Sequence, residues 1–515
     1  MKKIVSVFLA VLMLSTSVCA ATIDETAPYA GDYAVVYNTV STDPDMPYSS
    51  SYLSTDQTAA EGYDMVVPAL LPDNFNELKE SYNNSVLPAL ASSAAETVGG
   101  TYTFYDGLIT GAGYSSFSAK YMYSGSYCDI YVKTTLAEDR DLCAAIAEEF
   151  DKNIRNKMVQ TFGSYLSGRI NIFSGEPDVN GKVAIILEDS VNLPGLLGLY
   201  SGADLLPVIV GGNGNNRSIL HINGQLLSGS DIEEYGATIA HEMQHLIDAT
   251  YYIRDILGGK TREYTEMWLN EGLSEAAVGL IYDNSDRILY YNMDYDGSIK
   301  NGAILCYTDY AQNDNSVVAN YSLPYLFLQY IRAQTKELSG GGRDIFKKIK
   351  ISGLPGSAAI EEVLKEIGYP VTEFSQLNRN FRIAMTLKEP DGYYGFKGES
   401  EFNDIYQPIT LVMPKDLDFS AAVVVRVNNQ VNPIFSDPNI KVAAFSRLVD
   451  YTVKGDINGD GSLDDNDVLI FRRYLAKWNV IVIESAIDFN GDGGVDDNDV
   501  NLLARYLAKW DVSIN

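Results

Sequence analysis

The 515-residue sequence predicts an α+β protein: a twisted β-sheet with a helical part in one large domain, followed by a small all-α module. Three observations lead to this prediction. Strand-like segments with glycine-containing turns follow Gly99, helical spacing replaces them near Asp139, and the C-terminus repeats one loop-and-helix pattern. The length exceeds that of one ordinary domain, and an apolar content of 46% is ample for a packed core.

The first 20 residues are typical of a secretory signal peptide. Two lysines precede the apolar run Ile4 to Leu14, and the small residues at 18–20 suit a cleavage site. A lipoprotein anchor at Cys19 is the alternative, but the residues before it fit ordinary secretion better. The remaining sequence has no run of about 18 apolar residues, so we expect no other membrane span.

The composition excludes some partners. A formal net charge of −30 argues against binding to nucleic acid or to anionic lipid. Three cysteines remain after the signal, Cys128, Cys143 and Cys306, and an odd number this small does not form a disulfide scaffold. Two alternatives remain for these cysteines: a disulfide bridge between Cys128 and Cys143, or three buried free thiols.

Residues 21–95 are rich in Ser, Tyr, Asp and Pro and show weak periodicity, so they form a linker, a pro-segment or a partly ordered arm. A β-rich part at 96–135 follows, in which three strand-like segments are "TYTFYDG", "SSFSAKYMYSG" and "SYCDIYVKTT". Helical spacing then begins at "DRDLCAAIAEEFDKNIRNKMVQTFG".

Strands and helices continue after this first helical segment. "KVAIILED" and "RSILHIN" have the apolar character of buried strands. Periodicity predicts helices at Ser230 to about Tyr252, Thr265 to Leu280, Tyr325 to Thr335 and Ile360 to Ile367. The strand-like "PITLVMP" and "AAVVVRV" then make residues 391–450 a β-rich extension, either a small module or the end of the large domain.

The segment "ATIAHEMQHLIDA" contains two of the three histidines of the chain. His241 and His245 occupy positions i and i+4, so a helix places both imidazoles on one face, where they can bind one ion. Zinc suits imidazole and carboxylate ligands, and Glu242 is placed to take a proton from a water on that ion. The alternative is a chance HExxH pattern on a helix of the core.

The segment "MWLNEGLSEAAVGL" supplies a candidate third ligand. Glu271 lies among apolar residues, and Glu275, one helical turn later, can accept a hydrogen bond from a ligand histidine. The alternative, two solvated glutamates on an ordinary helix, does not suit these apolar neighbours. The longer HExxHxxGxxH pattern is absent, because Asp248 and Tyr251 occupy its last two positions.

Two further residues are candidates for supporting roles. Tyr321 opens the helical segment "YSLPYLFLQYI" and is our choice for stabilising the oxyanion, against a default role in packing. His221, in "ILHIN", is predicted to be a structural residue near the cleft rather than a fourth ligand.

An HExxH helix followed by a helix with NExxSE resembles the gluzincin arrangement, and the similarity to secreted bacterial metallopeptidases of the hyicolysin type extends further. The segments "YCDIYV", "NKMVQTFG", "LLGLYSGADLLP" and "YSLPYLFLQYI" are similar to a strand, a helix, a loop and a later helix of that family. The resemblance implies a zincin-type catalytic domain at 96–390. It also implies a zinc endopeptidase with one ion on His241, His245 and Glu271, and with Glu242 as general base.

The C-terminus contains two nearly identical acidic loops, "DINGDGSLDDND" and "DFNGDGGVDDND". Their oxygen side chains and a central glycine follow the layout of a calcium loop. We therefore expect two calcium ions, and calcium should also fold this segment. A solvated acidic linker would not explain the repeat. The ligand positions are Asp456, Asn458, Asp460, Ser462, Asp464 and Asp467 in the first loop, and Asp488, Asn490, Asp492, Gly494, Asp496 and Asp499 in the second.

Each loop continues into an amphipathic helix, and the pair resembles a type I-like dockerin at 454–515. The resemblance implies a cohesin module of a scaffoldin as the partner. In that family the partner is recognised near the end of each loop and along the following helix. The matching residues are Asp465, Asn466, Arg473 and Lys477 in the first copy, and Asp497, Asn498, Arg505 and Lys509 in the second.

Together these features predict a secreted, extracellular zinc endopeptidase that hydrolyses peptide bonds with a metal-activated water. Its dockerin would attach it to a cellulosome-type scaffold or to the cell surface. Two alternatives stay open. One is a docked subunit with a zincin fold that only binds, although the intact Glu242 argues against it. The other is a zinc hydrolase acting on another amide or an ester, since the same activated water attacks those carbonyls.

Overall fold

The computed structural model describes residues 33–40, 63–67, 74–81, 83–84, 95–108, 113–168, 181–208, 211–282, 286–293, 316–410, 413–417, 419–427, 435–445, 454–455, 457, 463–478, 480, 482 and 486–510. The predicted signal peptide, Cys306 and half of the first acidic loop, residues 456 and 458–462, lie outside these ranges. The described part is of mixed α+β class, as the sequence predicts, and it contains two β-sheets. None of its helices combines the length and the apolar character needed to cross a bilayer.

The strands are numbered along the chain as β1 (Tyr33–Asn38), β2 (Tyr63–Val67), β3 (Thr101–Tyr105), β4 (Ser116–Ser124), β5 (Cys128–Lys133), β6 (Val183–Glu188), β7 (Leu196–Ser201), β8 (Ile219–Asn223), β9 (Ile409–Thr410), β10 (Ala422–Arg426) and β11 (Ile440–Phe445). The helices are α1 (Phe75–Ser81), α2 (Arg140–Glu149), α3 (Arg155–Thr161), α4 (Ile232–Leu257), α5 (Met267–Ile281), α6 (Asp286–Met293), α7 (Ser316–Thr335), α8 (Asp344–Ser352), α9 (Gly356–Glu366), α10 (Phe374–Leu387), α11 (Asp465–Leu475) and α12 (Asp497–Leu507). A π-helical turn, Phe150–Ile154, joins α2 to α3.

The larger sheet has seven strands in the order β2-β7-β8-β6-β5-β4-β3. Its centre, β5, β6 and β8, is parallel, whereas β7 runs antiparallel to β8, and β3, β4 and β5 form an antiparallel meander. All residues of β6 are buried, because helices cover one face of the sheet and an aromatic-rich cluster lies on the other. The strands predicted within 96–135, in "KVAIILED" and in "RSILHIN" all belong to this sheet.

Helix α4 contains the HExxH motif and lies in the centre of the main core. The Asp231 side chain caps its N-terminus by accepting hydrogen bonds from the backbone N–H groups of Glu233 and Glu234. The helix continues to Leu257, beyond its predicted end near Tyr252, because the buried Ile253 extends its apolar face. The motif is therefore held in the middle of a long, well-packed helix.

Helix α7 begins earlier than predicted. The sequence predicts a helix around Tyr325 to Thr335, within a helical segment that Tyr321 opens. In the structure α7 begins at Ser316 and continues through Pro324. This proline packs against Gly272 of α5, where an added Cβ would lie 2.9 Å from the proline Cβ. Glycine at 272 therefore allows α5 and α7 to approach closely.

The smaller sheet has the strand order β11-β1-β10-β9, and its strands come from distant parts of the chain. β1 pairs antiparallel with both neighbours, with Val35 opposite Val424 of β10 and Ala443 of β11. All side chains of β1 are buried, and α10 packs against one face of the sheet. The segment "AAVVVRV" forms β10 as predicted, and the described part of "PITLVMP" contains the short strand β9.

Strands from residues 21–95 therefore enter both sheets. β1 is an inner strand of the smaller sheet, and β2 pairs in parallel with β7 at the edge of the larger one. The domain boundaries drawn from the sequence stay predictions. The paired strands show that this region is joined to the rest of the protein through main-chain hydrogen bonds.

Cys128 and Cys143 are buried free thiols, so the alternative of a disulfide bridge between them is wrong. Burial raises the pKa of the Cys143 thiol to about 12, which keeps it protonated and unreactive. Both residues serve as small apolar side chains in the main core.

The C-terminal repeat forms a small unit with its own core, which includes Phe471 and Phe489. Its two helices begin alike. Asp464 and Asp496 are the N-caps of α11 and α12, and each forms a capping box with the last aspartate of its loop. The repeat in sequence is therefore also a repeat in backbone structure.

Candidate metal centre

Two neighbouring helices, α4 and α5, bring together the three residues predicted as metal ligands. His241 and His245 lie on consecutive turns of α4, and Glu271 lies on α5. His241 Nε2 is 3.1 Å and His245 Nε2 is 3.5 Å from Glu271 Oε2. One ligand atom from each residue lies within 4.8 Å of the other two. All three side chains are buried.

The donor set fits zinc. Two imidazole nitrogens and one carboxylate oxygen are typical ligands of catalytic zinc, which keeps a further position for water or substrate. Burial by itself would raise the pKa of Glu271, but the imidazoles of His245 and His241 outweigh it and hold the pKa below its ordinary value. The site thus presents an ionised carboxylate beside two imidazoles, which suits a divalent cation.

Glu275 lies one turn beyond Glu271 and faces the first histidine. Its Oε1 is 3.2 Å from His241 Nδ1, the contact expected from the sequence. Nε of Arg287, on α6, donates a hydrogen bond to the other oxygen of Glu275. A carboxylate at Nδ1 favours the tautomer whose Nε2 faces Glu271. Sequence reasoning missed Arg287, because it lies outside any motif.

Glu242 follows His241 on α4 and is buried against strand β7. β7 passes so close that a Cβ on Gly198 would lie 2.6 Å from Glu242 Oε1 and 2.7 Å from Thr238 Cγ2. Any side chain at position 198 would displace this carboxylate. Sequence reasoning missed this role, since a glycine inside a strand indicates a close approach without identifying the neighbour.

Tyr321 lies inside α7 and beside the proposed metal ligands. Its ring centroid is 6.1 Å from that of His241, and its side chain is buried. The guanidinium carbon of Arg287 lies 5.3 Å from the centroid of the same ring. Arg287 therefore contacts both Glu275 and Tyr321.

His221, on β8, belongs to a separate buried cluster. Its Nδ1 pairs with Glu188 Oε1, and its Nε2 lies 2.8 Å from Asp204 Oδ2. Burial would lower the pKa of His221, but the carboxylates of Asp204 and Glu188 outweigh it and hold the pKa well above its ordinary value. Both ring nitrogens are occupied by carboxylates, which is consistent with the structural role expected from the sequence.

A buried ion pair holds helix α8 against α4. Lys350 Nζ lies 2.5 Å from Asp248 Oδ1, and neither side chain is more than 1% exposed. The hydroxyl of Thr265 donates a hydrogen bond to the same oxygen. Burial lowers the pKa of Lys350, and the Asp248 carboxylate offsets this only in part. The pair supports the helix turn that follows His245.

The second acidic loop of the tail is held by its own aspartates. Asp488 accepts hydrogen bonds from the backbone N–H groups of residues 491–493, which curl the loop around its carboxylate. Asp499 accepts from the backbone N–H groups of Asn490 and Asp496. The predicted ligands Asp456, Asn458, Asp460 and Ser462 of the first loop lie outside the described residues.

The predicted partner-binding residues occupy equivalent places in the two copies. Asp465 and Asn466 begin α11 as Asp497 and Asn498 begin α12. The last residue of each set follows its helix in the left-handed conformation, with φ of 64° at Lys477 and 57° at Lys509. Arg473 and Arg505 lie in the last turns of the two helices.

Comparison with known proteins identifies relatives of both parts. Over 326 residues the chain is 27% identical to the neutral metalloprotease ShpI of Staphylococcus hyicus, a match that spans 61% of this chain and 69% of the relative. Residues 454–508 match the family model of the dockerin type I domain. These matches confirm the resemblance drawn from the motifs. The chain therefore joins a region related to a neutral metalloprotease to a C-terminal dockerin type I domain.

Proposed function

We propose that this chain is a secreted, zinc-dependent endopeptidase of gluzincin type, attached by its dockerin to a cohesin on an extracellular, cellulosome-type scaffold. The observation that supports this most directly is the buried group of His241, His245 and Glu271, with Glu242 beside it on the same helix. Similarity to a neutral metalloprotease supports the proposed enzyme, and the dockerin match supports the proposed attachment.

The proposed reaction uses the residues of α4 and α5. His241, His245 and Glu271 would hold one zinc ion. When bound, zinc polarises the scissile carbonyl and lowers the pKa of a coordinated water toward neutrality. Glu242 takes the proton of the attacking water and delivers it to the leaving amine. Gly198 of β7 restricts the movement of this carboxylate, since the two are in close contact.

Two neighbouring residues support this chemistry. Glu275, held by Arg287, keeps a proton on Nδ1 of His241, so that Nε2 is available to the metal. Tyr321, whose ring lies beside His241, is the proposed hydrogen-bond donor to the oxyanion.

Casein zymography tests the proposed activity. We expect lysis by the zinc-loaded protein, loss of lysis when a chelator removes zinc, and recovery when zinc is added back. Lysis that persists in the metal-free protein would contradict the proposal. A protein that binds zinc but leaves casein intact would favour the hydrolysis of another amide or ester, or a binding role.

Glu271→Ala is expected to weaken zinc binding at least ~100-fold, because changes to residues around metal ligands already cost about 10- to 100-fold. Zinc content after dialysis and competition with a chelator of known affinity measure the effect. Glu263→Ala is the control, since Glu263 is an exposed glutamate shortly before α5. Full zinc retention by Glu271→Ala would place the third ligand elsewhere.

Calcium is expected to fold the tail. The carboxylates of Asp488, Asp492, Asp496 and Asp499 lie in one short loop and repel one another unless a cation binds. Dialysis into a calcium-free buffer that contains zinc should increase hydrogen exchange in residues 486–510. Helices α4 and α5 should stay protected, because the tail has a core of its own. Hydrogen exchange in residues 486–510 that is the same with and without calcium would refute the assignment of these loops as calcium sites.

A further inference from the structure

The two halves of the dockerin share their proposed recognition residues but differ in their surroundings. We call Asp465, Asn466, Arg473 and Lys477 the first face, and Asp497, Asn498, Arg505 and Lys509 the second face. Asn466 and Arg473 of the first face are half-buried, whereas Asn498 and Arg505 of the second face are exposed. Since the two halves have equivalent backbones, the difference comes from the rest of the chain.

The first face contacts a segment of the protein body at residues 404–406. The side-chain amide of Asn466 donates a hydrogen bond of 2.7 Å to Asp404 Oδ1. The guanidinium carbon of Arg473 lies 5.3 Å from the ring centroid of Tyr406, within the range of a cation–π interaction. Both contacts use side chains assigned to partner recognition. Asp465 and Lys477 of the same face stay exposed.

The contact extends beyond these two side chains. A cavity of about 460 Å³ lies between α11 and the protein body. Leu469 and Ile470 line it from α11, and Leu289 of α6 and Met385 of α10 line it from the body. Helix α11 therefore faces the body over about two turns, with a polar contact at Asn466, a cation–π contact at Arg473 and a partly apolar cavity between them.

The second face has different neighbours. The side-chain amide of Asn498 donates a hydrogen bond of 3.3 Å to Asp496 of its own loop. The guanidinium carbon of Arg505 lies 5.7 Å from the ring centroid of Trp510, as that of Arg473 lies 5.5 Å from Trp478, but Arg505 has no counterpart of Tyr406 among the described residues. Within the described part of the chain, these contacts stay inside the tail, and the face is open to a partner.

We propose that residues 404–406 mask the first face in the intact chain, so that a cohesin binds through the second face. This inference rests on the proposed role of the dockerin as a cohesin-binding module. Two identical faces in isolation would offer a partner two equivalent orientations. In the intact chain one orientation dominates, and the cohesin therefore holds the metalloprotease region at one defined angle.

Docking of the first face on residues 404–406 competes with the binding of a cohesin to that face. A cohesin can use the first face only after Asn466 and Arg473 have left Asp404 and Tyr406. Its apparent affinity for this face falls by the fraction of molecules in which the face is undocked. One hydrogen bond to a carboxylate and one cation–π contact, less the entropy lost when the tail docks, leave a docked-to-undocked ratio on the order of ten.

Disulfide trapping tests the contact without any partner. In the full-length chain with Cys306→Ser, the pair Asp404→Cys and Asn466→Cys should form an intrachain bond under mild oxidation. Mass spectrometry of non-reduced peptides detects this bond. The matched pair Asp404→Cys and Asn498→Cys, which uses the equivalent position of the second half, should stay reduced. Equal disulfide formation in the two pairs, or no disulfide in the first pair, would overturn the proposed masking.

Calorimetry with a purified type I cohesin tests the consequence. In the full chain, Asp497→Ala with Asn498→Ala should weaken binding by about tenfold, because only the masked face remains. The equivalent pair Asp465→Ala with Asn466→Ala should change the affinity by less than about twofold, because the open face is untouched. Equal small effects from the two pairs would show that both faces are open and would overturn the masking.

A rescue experiment separates masking from other differences between the faces. Adding Asp404→Ala and Tyr406→Ala to the Asp497→Ala, Asn498→Ala chain should restore the affinity to within about twofold of the native value. No recovery would show that the first face is inactive for another reason and would overturn the masking. If the native chain binds no cohesin, the proposed attachment fails instead, and the disulfide pairs still decide whether the first face is covered.

Discussion

Glu242→Gln is expected to slow peptide hydrolysis by roughly 10²- to 10⁴-fold while zinc stays bound. The change removes the group that accepts the proton of the attacking water but keeps His241, His245 and Glu271. Glutamine has nearly the shape of glutamate, so it fits the space beside Gly198 without displacing β7. The measurement is kcat/KM on a quenched peptide substrate, together with the zinc content of the same preparation.

Glu234→Gln is the matched control for this variant. It makes the same chemical change in the exposed first turn of the same helix, so activity and zinc content should stay native. If Glu242→Gln is as active as Glu234→Gln in zinc-loaded protein, another group must be the general base.

Lys350→Met is expected to lower the free energy of unfolding by about 3–5 kcal/mol. The variant leaves the Asp248 carboxylate buried without its cation, and Thr265 supplies only a neutral hydrogen bond to it. Removing one partner of a buried pair is costly because the remaining charge can reach neither water nor a counter-charge. Urea unfolding of the zinc-loaded protein, followed by far-ultraviolet circular dichroism, measures the change.

Lys348→Met, on the same helix α8, provides the comparison. Its ion pair with Glu366 has side chains that are 28% and 58% exposed. Loss of such a surface pair should cost no more than about 1 kcal/mol. The double variant Lys350→Met with Asp248→Leu should recover most of the lost stability, because no buried charge remains. Equal unfolding midpoints for Lys350→Met and Lys348→Met would contradict the expected cost.

The proposed metal ligands could be located from the sequence because their geometry is mostly local. His241 and His245 share a helix face by spacing alone, and the apolar neighbours of Glu271 indicated burial. The structure brings the three ligand atoms within 4.8 Å of one another. A contact between Glu275 and a ligand histidine was also expected, since Glu275 lies one helical turn after Glu271, and in the structure this histidine is His241.

Contacts between elements far apart in the chain could not be predicted in this way. Arg287 and Lys350 each occur in an amphipathic helix, where a basic residue usually faces water. Only the packing of α6 and α8 on the central helices shows that Arg287 contacts Glu275 and that Lys350 contacts Asp248. The close approach of Gly198 to Glu242 likewise depends on how one strand lies across one helix.

The position of β1 between β10 and β11 also determines when the protein can finish folding. The hydrogen bond from the Asn38 side chain to the Leu417 carbonyl spans 379 positions, and the partner strands come later still. At ordinary rates of synthesis, Tyr33–Asn38 waits roughly 20–80 s for these strands. An apolar strand without neighbours for that long is a template for pairing with other chains. The smaller sheet therefore cannot close until residues 440–445 have been synthesised, and β1 stays without its partner strands until then.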